Sequence, residues 1–146
     1  MLIMKIIKLL LLGILSILIG CSSVPPDSSR LTNRLVGCWY GEDYQPVFGQ
    51  KAGWLMNRHE DGTFTIEFRT VKAGQNMHKQ TEKGNWKYHD GRYTTITTSV
   101  AGVNIEPYYV DEYEIKSLTE NEMTYYHDKA KQTFSSRRVN CDHEGS

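Results

Sequence analysis

In Phe64-Thr65-Ile66-Glu67-Phe68-Arg69 apolar and polar residues alternate one by one. Successive side chains of an extended chain point to opposite sides, so Phe64, Ile66 and Phe68 share a buried face while Thr65, Glu67 and Arg69 meet water. Working outward, the same period returns. Gly84, Trp86 and Tyr88 alternate with Asn85 and Lys87; Tyr113 and Ile115 alternate with Glu112, Glu114 and Lys116; Met123 and Tyr125 continue the series beyond a polar turn. From Leu35 onward no stretch of about eleven residues carries a 3.6-residue apolar period, so the body is all-β.

Turn signals separate these runs: Glu60-Asp61-Gly62, Asp90-Gly91, Thr119-Glu120-Asn121 and Asp128-Lys129. They predict eight strands over 35–41, 51–59, 63–71, 79–89, 92–100, 108–117, 122–128 and 132–140. Each turn joins sequence neighbours, so the expected topology is an eight-stranded up-and-down antiparallel barrel. Closure removes the unpaired edges that a flat sheet would leave, and it places the first strand beside the last.

The first 20 residues differ in kind. Lys5 and Lys8 precede Leu9 to Ile19, a run interrupted only by Gly13 and Ser16. At about 1.5 Å per residue that run covers half of a roughly 30 Å hydrocarbon core, the length of a secretory apolar region rather than of a spanning helix. Leu18-Ile19-Gly20-Cys21 follows it and resembles the lipobox of bacterial lipoproteins. The resemblance implies a cleaved lipoprotein signal over 1–20, with diacylglycerol and acyl chains such as palmitate on Cys21. Two or three acyl chains anchor a protein stably to a bilayer. Ser22, where an Asp would imply inner-membrane retention, implies outer-membrane anchoring with the domain facing the periplasm. Ser22 to Arg30 is rich in Ser and Pro, so residues 21–33 read as the acylated cysteine and a flexible tether. The barrel then occupies 34–141, and 142–146 is a polar tail.

With Cys21 taken by lipid, Cys38 and Cys141 remain, in a compartment that permits disulfides. If Trp39 points inward, Cys38 points outward, and Cys141 shares the outward parity of Val139. Both thiols then lie on one side of adjacent strands, and a bridge closing a loop of about 100 residues stabilises by about 4–5 kcal/mol in the chain-entropy model. Unpaired or metal-binding thiols are the alternative.

Gly37-Cys38-Trp39 in the first strand resembles the Gly-x-Trp signature of lipocalins and the wider lipocalin-like, or calycin, group. The resemblance covers roughly Leu35 to Asn140. It implies barrel closure by Gly37, Trp39 and an arginine of the last strand lying across the indole; Arg138, of inward parity, matches that place better than Arg137. Such a stack contributes about 0.5–2 kcal/mol. Two features depart from the group: the body is short, and no amphipathic helix follows the last strand.

The charges balance at 17 against 17, and removal of Lys5 and Lys8 with the leader leaves 15 − 17 = −2. No nucleic-acid partner is therefore expected. No Gly-x-Ser-x-Gly, His-Glu-x-x-His, phosphate loop or Cys-x-x-Cys occurs. His59-Glu60-Asp61, His89-Asp90 and His127-Asp128 each fall where a strand enters a hairpin, a place that favours Asp for its backbone hydrogen bonds. The expectation is accordingly no enzyme, no catalytic residue, no metal and no cofactor.

Inward parity collects Trp54, Phe64, Phe68, Trp86, Tyr113 and Tyr125, the expected lining of a site for a small, largely apolar ligand. Asp111, His127 and Arg138 share that parity and would orient a ligand's polar end, although Asp111 and His127 also suit a frayed strand start and a turn. A second class of function uses the surface. Gln45 to Gly53, with Pro46, Val47 and Phe48, and Val100 to Pro107, with Val103 and Ile105, read as apolar loops suited to an envelope protein partner, as an inhibitor or assembly factor would need over a filled barrel.

Overall fold

Trp54 faces Phe68, Met56 faces Ile66 and Arg58 faces Phe64 across two strands, which makes the alternation of Phe64 to Arg69 the inner face of a sheet. The computed structural model describes residues 28–143. Its strands are β1 (Gly37–Gln45), β2 (Gln50–Arg58), β3 (Thr63–Lys72), β4 (Gln75–His89), β5 (Arg92–Val100), β6 (Val103–Leu118), β7 (Glu122–His127) and β8 (Gln132–Arg138). They follow one another in chain order round a closed antiparallel barrel. Cys21 and the leader, and with them the expected cleavage and lipidation, lie outside the described residues.

Closure comes where the ends of the chain meet. Trp39 pairs with Arg138 and Tyr40 with Arg137, and the amide of Val139 donates to the Cys38 carbonyl at 3.0 Å. The outward parity of Cys38 and Cys141 is realised as a disulfide with Cα atoms 5.2 Å apart. Inside the same end, Leu35, Trp39, Phe64, Trp86, Tyr93 and Met123 are buried together.

Three segments differ from the sequence expectation. Ser28 to Asn33, expected as tether, begins a helix, α1 (Ser28–Leu35), whose last residue is fully buried. Its end is fastened by the Trp39 indole, which donates to the Leu35 carbonyl at 3.0 Å, and by Arg34, which donates to the Leu118 carbonyl at 2.8 Å. Leu31 and Leu35 are four residues apart and so share a helical face, a signal too short to register against the Ser and Pro around it. The expected loop from Gln45 to Gly53 contracts to the turn Pro46–Gly49, because β1 and β2 pair out to Gln45 and Gln50. The loop expected over Val100 to Pro107 contracts to Ala101-Gly102, whose φ values of 49° and 82° suit the tight primed hairpin turn. Val103 and Ile105 thus belong to β6.

Candidate ligand-binding cavity

The barrel is not filled. A cavity of about 540 Å³ runs inward from an exposed rim formed by Tyr108, Tyr109 and Val110 of β6 to a buried end at Trp39, Arg58 and Tyr93. Alternation along β2 lays out its depth: Trp54, Met56 and Arg58 are successive inward positions, and Phe68 opposite Trp54 is still partly open to solvent. At about 3.3 Å per residue, Trp54 and Arg58 stand roughly 13 Å apart along the strand.

Rings make up much of the wall. Trp54 meets Phe134 edge-on at 5.5 Å, Phe134 stacks on Tyr125 at 5.8 Å, and Tyr113 lies 5.5 Å from Tyr125 and 5.4 Å from Tyr93. Burial pushes the phenols of Tyr93 and Tyr113 above their ordinary range and that of Tyr125 up to about 12. All three are neutral at neutral pH.

Arg58 is the polar feature of the deep end and is only 2 % exposed. Its Nε donates to the Tyr93 hydroxyl at 2.9 Å, and its Cζ lies 4.5 Å from the centroid of that ring. Nη1 has no hydrogen-bond partner among the described residues, and Ser136 lies on the same cavity wall. Two acids also line the cavity and both are engaged elsewhere. Glu82 accepts from Gln80 at 2.9 Å, while Asp111 accepts from Lys129 and lies 3.3 Å from Nε2 of His127.

Of the residues expected to contact ligand, Trp54, Phe68, Tyr113 and Tyr125 line the cavity. Phe64 and Trp86 do not: they are buried in the core beside it, and the Trp86 indole donates to the His59 carbonyl at 3.1 Å. Asp111 and His127 come together on the wall, whereas Arg138 is drawn to the far side of Trp39, donating to the carbonyls of Arg34, Val36 and Glu120 at 2.6, 2.8 and 2.7 Å. The histidine pairs do not converge on one centre. His89 bonds Asp90 on the exposed surface, and Asp128 pairs with Arg92 rather than with His127. Among the described residues no three His, Cys, Asp or Glu side chains are grouped as metal ligands. Arg58 was legible as inward, since it continues the parity of Trp54 and Met56; that it lacks a counter-charge was not. The chain matches no protein-family model and no curated protein in sequence.

Proposed function

We propose that this chain is an outer-membrane-anchored, lipocalin-like lipoprotein that binds a small, largely apolar ligand in the cell envelope without chemical conversion. The observation that carries this reading is the cavity of about 540 Å³ inside a closed barrel, open at one rim and walled by Trp54, Phe68, Tyr113, Tyr125 and Phe134. That volume falls in the range of roughly 300–1,000 Å³ typical of small-molecule sites. Binding would be driven by desolvation of an apolar ligand among these rings, at about 25 cal/mol per Å² buried before ordering costs. Cys21 would hold the barrel at the membrane through its acyl chains, with the domain on the periplasmic side. The Trp39–Arg138 stack supports the lipocalin-like reading, since it is the contact that the Gly-x-Trp resemblance implies.

A protein partner is the second reading, favoured by Val47 and Phe48, which stand 88 % and 62 % exposed at the β1–β2 turn. Native mass spectrometry of the full chain extracted from its own membrane separates the two. Ligand binding predicts an adduct of small-molecule mass that is released on denaturation. A chain recovered bare, together with a stoichiometric protein partner, would replace the first reading with the second.

A further inference from the structure

We propose that the deep end of the cavity is an anion site, built around Arg58, that selects ligands bearing one carboxylate on an apolar body. This inference rests on the ligand-binding reading and narrows its ligand class.

A guanidinium cannot lose its charge at physiological pH, and a buried charge left without a partner is strongly unfavourable. Arg58 is in that position. The ring that touches it belongs to Tyr93, whose phenol burial keeps protonated, so it offers a hydrogen bond and a π face but no negative charge. Tyr125 is neutral for the same reason. Asp111 is committed to Lys129 and His127, and no described carboxylate pairs with Arg58.

Arg58 supplies the unmet group: Nη1 is a donor only and has no hydrogen-bond partner among the described residues, and the residue lines the cavity. Buried donors with an uncompensated positive charge call for an anionic acceptor, and the planar N–H edge of a guanidinium fits the two oxygens of a carboxylate. A trapped water would satisfy the hydrogen bonds but leave the charge. The rest of the ligand is constrained by what lies outward of Arg58: Met56, Ile66, Trp54 and Phe68 give an apolar passage to the rim. The ligand therefore enters head first, with its tail toward Tyr108 and Tyr109.

The test is native mass spectrometry of the full chain in a non-ionic detergent, offered equimolar dodecanoate, dodecanol and dodecyltrimethylammonium. Wild-type protein should retain dodecanoate about tenfold or more over the alcohol, with the cation weakest. Arg58→Met, which keeps the length of the side chain, should bring acid and alcohol to near parity while alcohol binding persists; Arg58→Lys should restore part of the preference. Arg58→Gln, which keeps hydrogen-bond donors without the charge, should lose most of the preference and serves as the second variant if Arg58→Met fails to fold. Equal retention of acid and alcohol by wild type, or an undiminished preference in Arg58→Met, would overturn the anion site while leaving ligand binding intact. If none of the three probes binds, the ligand-binding reading falls and the anion site with it.

Discussion

Arg138 lies across Trp39 with its Cζ 4.4 Å from the indole ring, and the same two residues are paired between the last strand and the first. One side chain therefore fastens three places: the β1–β8 seam, the end of α1 through Arg34 and Val36, and the β6–β7 turn through Glu120. Each bond goes to a backbone carbonyl.

Arg138→Lys keeps the charge but loses the fork that reaches several carbonyls at once, and it should destabilise the barrel by about 2 kcal/mol. Urea unfolding followed by tryptophan emission measures this. An unchanged midpoint would mean that the seam holds without the arginine.

The Cys38–Cys141 bridge spans 103 residues, so its removal releases nearly the whole barrel in the unfolded state. The double variant Cys38→Ser/Cys141→Ser should lose about 2–5 kcal/mol relative to the oxidised protein in the same urea assay. A loss well under 1 kcal/mol would show that the unfolded chain gains little freedom from the missing link.

Gly84 sits at a register shift between β4 and β5, where an added Cβ would come 1.9 Å from the Ile96 carbonyl oxygen. Backbone cannot step aside as a side chain tip can, so Gly84→Ala should cost about 3 kcal/mol or more and move the register of β4. Thermal unfolding by circular dichroism reads the cost. A variant as stable as wild type would refute the close approach.

Burial holds the phenols of Tyr93, Tyr113 and Tyr125 protonated to higher pH than in the unfolded chain. Their contribution to stability is complete below the unfolded value near pH 10 and is lost as pH rises above it, for Tyr125 toward its folded value of about 12. Stability should therefore fall steeply over that window, with phenolate absorbance appearing together with unfolding. Tyr125→Phe should flatten the slope; an equal slope in that variant would exclude its phenol as a cause.

The proposed membrane attachment through Cys21 predicts lipid labelling in growing cells. Cys21→Ser should abolish incorporation of labelled palmitate, and continued labelling would place the acyl chain elsewhere.

Much of this architecture could be read residue by residue. Alternation is a local property, and it placed Phe64, Ile66 and Trp54 inward, brought Cys38 and Cys141 to one side, and put Arg138 rather than Arg137 over Trp39. The 92–100 strand was legible to its ends. Of the expected tether, the part from Ser28 onward is helical with Leu35 buried at its end, and Leu31 and Leu35 alone give too little periodicity to outweigh the surrounding Ser and Pro.

Which residues face in and which strands are neighbours follow from a period of two and from short turns, and both are local. Depth came only with the assembled barrel. Phe64, Trp86 and Arg58 share inward parity with Trp54, yet the first two close the core and the third is stranded at the end of a cavity. Depth depends on register, bulges and strand tilt summed round the whole barrel, and whether a buried charge finds its partner depends on side chains arriving from distant strands. No alternation within a single strand encodes either.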